Sequence, residues 1–243
     1  ATASTRAGCS FPETAVIITC EHGGSRIPKA WTSLFDSCSG LLESHRGWDP
    51  GALDLARSLS AALNAPLFYS VNSRLLVDLN RSLHHPRLFS ARTRRLGRAE
   101  KDLLLKKYYL PFRRAVEDTV RSALENGQRV LHLSIHSFTP VLDGVVRTAD
   151  LGLLYDPRRR PEKDFCRRLK MTLTDTLPGL RVRFNQPYRG VSDGHTTHLR
   201  RLFRPEAYSG IEIEVNQNFP LGDRQAWEDL KTGIAQAVTK FSF

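Results

Sequence analysis

No stretch of this 243-residue chain reaches the roughly 18 consecutive apolar residues that a membrane-spanning helix requires, so no membrane partner is expected. The segment from Ala1 to Gly8 lacks the apolar centre of a secretory signal, and residues 1–12 read as a frayed tail. Cysteine is sparse: Cys9, Cys20, Cys38 and Cys166 form no CxxC pair, which excludes a zinc knuckle and a disulfide framework. Free thiols in a cytoplasmic protein are the expectation. No internal repeat and no linker interrupts the chain, so residues 1–243 are read as one domain. Acids are outnumbered, 25 against 36 Lys and Arg, for a formal charge of +11. The surplus gathers in arginine clusters at 92–98, 158–160 and 200–204. Aromatic residues do not interleave with them and no RNP-like pattern accompanies them. The clusters therefore read as a solvated basic face, or a field that draws anionic substrates, rather than a nucleic-acid site.

What is present is an alternation of strand and helix signals, with 40% hydrophobic residues to build a core. Val16 to Ile18 is β-branched and bounded by turn formers, which predicts a buried strand ending at Glu21-His22-Gly23-Gly24. A short helix is predicted over 30–35, and an amphipathic one over 50–64, started by Asp49 as N-cap and Pro50 at N1. Further strands are expected at 67–69, 130–135, 151–155, 181–184 and 210–215, with an extended piece at 74–77. Helices are expected over 98–126, kinked or split by Pro111, and over 162–176, 197–202 and 222–241. This order predicts a single-domain α/β fold, a three-layer α/β/α sandwich around a mostly parallel mixed sheet.

Two of these strands end in histidine, His22 and His136. Parallel neighbours would bring those tips together, and imidazole nitrogen is a preferred zinc ligand. A catalytic zinc site takes a third protein ligand and keeps a fourth position open for water. The candidates are Glu21, Glu43, His45 and Asp49, with Asp49 preferred because a side chain at a helix start can turn toward the sheet edge. Its competing role is the helix cap itself. In Ile211-Glu212-Ile213-Glu214-Val215 strict alternation puts both glutamates on one face. A covered central strand tolerates no unpaired carboxylate, and the one nearer the tip, Glu214, could reach the metal site as a general base.

The segments Cys20-Glu-His-Gly-Gly, Trp48-Asp-Pro-Gly-Ala, Ser73-Arg-Leu-Leu-Val-Asp-Leu-Asn-Arg-Ser, Ser134-Ile-His-Ser-Phe, Asn185-Gln-Pro-Tyr and Ile213-Glu-Val-Asn occur in the order seen in N-formylglutamate amidohydrolases. The chain resembles that family from about Ala15 to about Phe219, and His22-Gly-Gly, Ser-Ile-His136-Ser and Glu214 also resemble the zinc carboxypeptidases and related cell-wall amidases. The resemblance implies a zinc carboxypeptidase-like fold and a zinc-dependent amidohydrolase cleaving an N-formyl or other N-acyl amino acid such as N-formylglutamate. It implies one Zn2+, or another divalent metal, on His22, Asp49 and His136, with Glu214 as the base. It gives Arg81 a place in catalysis and Arg74 and Asn80 places around an anionic substrate; Tyr188 and His195, in a glycine-bearing loop, are expected to line the same pocket. In the carboxypeptidases the acidic ligand follows the first histidine by three residues; this chain has Ser25 there. A peptidase or cell-wall amidase on the same scaffold, and a non-enzymatic anion- or nucleic-acid-binding module, are the alternatives. The first needs a longer cleft and an export signal; the second should hold no zinc.

Overall fold

The computed structural model describes residues 13–36 and 38–241; Cys9 and the expected tail at 1–12 lie outside them. The chain runs β1 (Thr14–Cys20), a 3-10 turn over Lys29–Phe35, α1 (Ser39–Glu43), α2 (Ala52–Leu63) and β2 (Leu67–Tyr69). After a long loop come α3 (Arg98–Leu104), a π turn over Leu105–Tyr109 and α4 (Leu110–Glu125). The second half is β3 (Arg129–Phe138), the small hairpin β4 (Val141–Leu142) and β5 (Val145–Val146), β6 (Leu151–Leu154), α5 (Arg160–Thr176), β7 (Val182–Phe184), α6 (His195–Leu202), β8 (Tyr208–Asn216) and α7 (Arg224–Thr239).

Among the described residues, six strands form one sheet in the order β2-β1-β3-β8-β6-β7. Pairing is parallel except between β6 and β8. Because β1, β3 and β8 are consecutive and parallel, their C-terminal ends share one edge, where ligands collect in open α/β sheets. Alternation divides the side chains between two layers. Ile18, Leu133, Ile211, Ile213 and Val215 point into the larger core with residues of α2, α5 and α7. Ile17, Val130 and Tyr208 face the smaller one with Val116, Val120 and Leu199 of α4 and α6. Each fully buried aliphatic here removes enough apolar surface to contribute about 1.5–3 kcal/mol, and the strands are continuous in such residues because both faces are covered.

The three-layer, mostly parallel α/β architecture is as expected, and two local expectations are corrected. Residues 74–76 form a turn rather than an extended piece. Its backbone is tied across the chain instead of into the sheet, Arg74 N to the Gly47 carbonyl at 3.0 Å and Leu76 N to Ser73 at 3.0 Å. The helix expected over 98–126 is split, one of the two alternatives offered for Pro111: a π turn separates α3 from α4, and Pro111 sits in the first turn of α4. The helix after Asp49 begins only at Ala52, with Gly51 at its N-cap in the left-handed region (φ 77°), a conformation that favours glycine. Asp49 is therefore not the cap, and its side chain is released for other work.

Candidate metal centre and its cavity

The loop carrying Asp49 is fastened to the sheet edge before its side chain does anything. Asp49 N donates to the His22 carbonyl at 2.9 Å, Ser73 Oγ to the Gly47 carbonyl at 2.9 Å, and Ser137 Oγ to the Pro50 carbonyl at 2.7 Å. The carboxylate then lies between the two histidines, its Oδ2 3.3 Å from His22 Nδ1 and 2.9 Å from His136 Nδ1. Ligand atoms of His22, Asp49 and His136 all fall within 4.8 Å of one another, and all three residues are buried. β1 and β3 being parallel neighbours, the two imidazole centroids are 5.1 Å apart.

Both histidines turn Nδ1 inward because a carboxylate system holds Nε2 from behind. His22 Nε2 donates to Asp78 Oδ1 at 2.7 Å. His136 Nε2 donates to Ser134 Oγ at 3.0 Å, with Glu21 Oε2 3.5 Å away, and Ser134 Oγ donates to Glu21 at 3.0 Å. Carboxylates behind metal-binding imidazoles fix the ring and raise its basicity. Two imidazole nitrogens and one carboxylate oxygen, backed in this way, fit the donor set of a catalytic zinc site with three protein ligands. Glu21 stands behind His136 and is not among the three converging residues, and Glu43 and His45 are likewise outside the triad: Glu43 ends α1 exposed, and His45 lies on the cavity wall.

The electrostatics reflect a cation-seeking pocket. Burial works against charge on Asp49, but His22, His136 and Arg74 outweigh it and hold the carboxyl well below the usual range. Burial likewise opposes the His136 cation; the hydrogen bond to Asp49 and the charges of Glu21, Asp49 and Glu214 override it and push the ring up to about 10. A metal at Nδ1 would displace that proton, since a ligating imidazole is neutral. Glu214 is the exception among the acids. It stands opposite His136 in the β3–β8 register, its Oε2 is buried without a hydrogen-bond partner, and desolvation pushes it up to about 8. Glu212, two residues earlier on the same face, accepts from Thr196 Oγ1 at 2.7 Å.

A cavity of about 360 Å³ opens over these groups, with His22, Asp49, His136 and Glu214 at its base. Of the expected substrate contacts, Arg74, Asn80, Arg81 and Tyr188 all line it. Arg74 spends its guanidinium on acids, Nε and Nη2 on Asp78 at 3.2 and 2.9 Å and Nη1 on Asp49 at 3.3 Å. Asn80 Oδ1 accepts from His195 N at 2.6 Å, closing the start of α6. Arg81 donates Nη1 to the Asp193 carbonyl at 2.8 Å, while its Nε has no hydrogen-bond partner. Tyr188 is on the rim, its hydroxyl accepting from Arg147 at 3.0 Å. His195 is not at the cavity: it is fully buried beneath the sheet edge, Nδ1 donating to Glu21 at 3.0 Å. The glycine-bearing loop pointed to a place lining the pocket, but residue 195 opens α6, whose inward face packs on the β1–β3–β8 sheet with Leu199 among Ile17, Val130 and Tyr208.

Reading the sequence missed two supports, Asp78 behind His22 and Glu21 behind His136. The signal for Asp78 was its place in the Asp78-Leu-Asn80-Arg81 cluster after an apolar run; nothing local marks its histidine. Two more cavity cations, Arg87 and Arg189, also went unmarked.

The sequence model of N-formylglutamate amidohydrolase matches residues 14–219. The gene product Atu2144 from Agrobacterium tumefaciens has a similar structure, with a TM-score of 0.75 at 29% identity over 94% of this chain and 92% of that one. An N-formylglutamate amidohydrolase from Ralstonia eutropha JMP134 shares the fold, with a TM-score of 0.71 at 17% identity over 94% of this chain and 93% of that one. No curated protein sequence shows significant similarity. With the family's sequence pattern running through every element that builds the cavity, the chain belongs to the N-formylglutamate amidohydrolase family and is a hydrolase of amide bonds.

Proposed function

We propose that the chain is a zinc-dependent amidohydrolase that removes the formyl, or another small acyl, group from an acidic amino acid such as N-formylglutamate. One divalent cation per chain would be held by Nδ1 of His22, Nδ1 of His136 and the Asp49 carboxylate. When bound, it supplies Lewis acidity toward the scissile carbonyl and acidifies a water molecule. The observation that carries the reading is Glu214: a buried carboxylate beside the triad whose Oε2 has no hydrogen-bond partner and which desolvation pushes up to about 8.

Glu214 Oε2 takes a proton from the attacking water and returns it to the nitrogen of the leaving amine, so the enzyme ends the cycle in its starting state. A base with a pKa close to operating pH serves both transfers. Arg81 donates to the developing oxyanion or to the substrate carboxylate. Its Nε has no hydrogen-bond partner and stands 3.9 Å from Asp78 Oδ2, whereas Arg74 is hydrogen-bonded to Asp78 and Asp49 and acts by keeping those acids in place. Asp78 and Glu21 orient the two imidazoles. Arg87 and Arg189 add positive potential at the cavity wall, which favours a substrate bearing carboxylates. A reducing compartment fits the described thiols, since Cys20, Cys38 and Cys166 are all free; among the described residues no helix is long and apolar enough to cross a membrane.

The test is a panel of N-formyl, N-acetyl and N-carbamoyl amino acids, assayed with zinc-replete wild type and with Glu214→Gln. Turnover of an acidic N-formyl substrate that disappears with a chelator and in the variant is expected; turnover that survives Glu214→Gln rules out the base assignment.

A further inference from the structure

Beside the catalytic cavity lies a second one of about 410 Å³, and the two share Arg74, Arg81 and Arg87 in their walls. Arg46, Arg92 and Arg94 complete its arginine lining, and Asp78 is the acid among them. That acid is already saturated: it accepts from His22, from Arg74 and from Asn80 N, and Arg81 Nε stands 3.9 Å from its Oδ2. Its single charge, shared by Arg74 and Arg81, does not reach Arg46, Arg87, Arg92 and Arg94. Arg46, Arg87, Arg92 and Arg94 are solvent-exposed, while Arg81, common to both cavities, has a buried Nε with no hydrogen-bond partner. The floor is apolar, built from Leu41, Leu75 and Phe89.

The arginines sit on a braced loop. Asp78 N donates to the Leu88 carbonyl at 2.9 Å, Arg94 N to the Ser90 carbonyl at 2.8 Å, and the buried Thr93 reaches the Leu75 carbonyl at 3.4 Å. Like charges gathered on a fixed frame repel one another, and an anion between them relieves that repulsion; a guanidinium binds carboxylate through paired N–H donors. A short methylene arm would cover the apolar floor.

We propose that this second chamber binds a distal carboxylate of the substrate, so that the enzyme acts on N-acyl acidic amino acids extended by a further acidic residue. This deepens the reading of the catalytic cavity given above and rests on it for the position of the scissile bond. The chamber itself is a binding site for an acidic dipeptide whether or not hydrolysis occurs.

The dipeptides Glu-Glu and Glu-Gln differ only in distal charge, carry no N-formyl group, and read the chamber by titration calorimetry on the chelated, metal-free protein. In wild type, Glu-Glu binds about tenfold more tightly than Glu-Gln, the value of one additional charge-assisted contact. In the doubly substituted Arg92→Gln, Arg94→Gln protein the ratio falls toward one. Both side chains are exposed and lie outside the catalytic cavity, so folding and the metal triad are preserved, which circular dichroism and zinc content verify. Undetectable binding of both dipeptides, a wild-type ratio near one, or a ratio that survives the substitutions each overturns the proposal. None of these depends on turnover of N-formylglutamate, so failure here is distinguishable from failure of the hydrolase reading.

Discussion

Replacing Glu214 by glutamine should weaken catalysis and strengthen the fold, because one physical fact underlies both effects. The carboxyl is buried, its Oε2 lacks a partner, and desolvation, opposed by His136 and reinforced by Asp49 and Glu212, raises it from 4.5 to about 8. Its folded pKa lies above its unfolded one, so the folded state binds the proton more tightly. The resulting penalty is absent below pH 4.5 and grows by about 1.4 kcal/mol per pH unit until pH passes about 8. At pH 7 it is at most about 3 kcal/mol, and at pH 5 less than about 1 kcal/mol.

Glutamine has nearly the same shape and no charge, so it recovers much of this, less what its own amide loses by burial. For a chain of this size 1 kcal/mol moves Tm by about 2–4 °C, so the metal-free variant should melt several degrees above metal-free wild type at pH 8. At pH 5 the two should nearly coincide. In the same variant, reconstituted with zinc, kcat should fall by about 10² to 10⁴. Scanning fluorimetry of chelated protein at the two pH values and a steady-state assay of deformylation read both halves. A stability difference that does not grow with pH, or a Glu214→Gln protein less stable than wild type at pH 8, refutes the account of Glu214 as a desolvated, unpaired base.

Asp78→Asn removes the charge that holds His22 Nε2, and zinc affinity measured by chelator competition should drop about 10- to 100-fold while the far-ultraviolet dichroism is unchanged. Two other histidines govern acid stability. Burial, with the charge of His195 beside it, pushes His132 down to about 3; burial, with the charge of Arg113 nearby, pushes His195 down to about 4. Their folded pKa values lie below 6.5, so the stability they confer is complete above that pH and is lost as pH falls through the interval. Each steepens the decline by up to about 1.4 kcal/mol per pH unit, and urea denaturation between pH 7 and 5 should show a shallower slope in His132→Gln than in wild type.

How far the sequence carries can be judged from Asp49. Asp-Pro ahead of a helical pattern describes a cap as well as it describes a ligand, and local spacing does not separate the two. What decides is Gly51, whose left-handed backbone takes the N-cap position and leaves the aspartate two residues outside the helix. His22, His136 and Glu214 were easier to place, because each ends or nearly ends an apolar strand, and parallel strands put such ends at one edge. The β4–β5 hairpin escaped notice for the opposite reason: two residues per strand carry no periodicity. Arg74 belonged to a recognisable motif, but its use depends on Asp78 and Asp49, and the second of these lies 25 positions away.

The histidines make the same point at atomic scale. Alternation along β3 places His132, Ser134 and His136 on one face, yet it says nothing about which ring nitrogen of His136 meets the cavity. That choice is made by Ser134 and Glu21, the latter brought under His136 by the β1–β3 register and held there by His195 from 174 positions along the chain. His22 is fixed in the same sense by Asp78, 56 positions away. A sheet edge therefore supplies the positions of the triad residues, and the acids packed behind it supply their orientation. Positions follow from short-range pattern and strand order; orientation requires pairs whose sequence separation is set by the topology of the whole domain. A relative that kept His22, Asp49 and His136 while losing Asp78 and Glu21 would retain the triad's place in the fold and should bind zinc weakly, with imidazoles free to present either nitrogen.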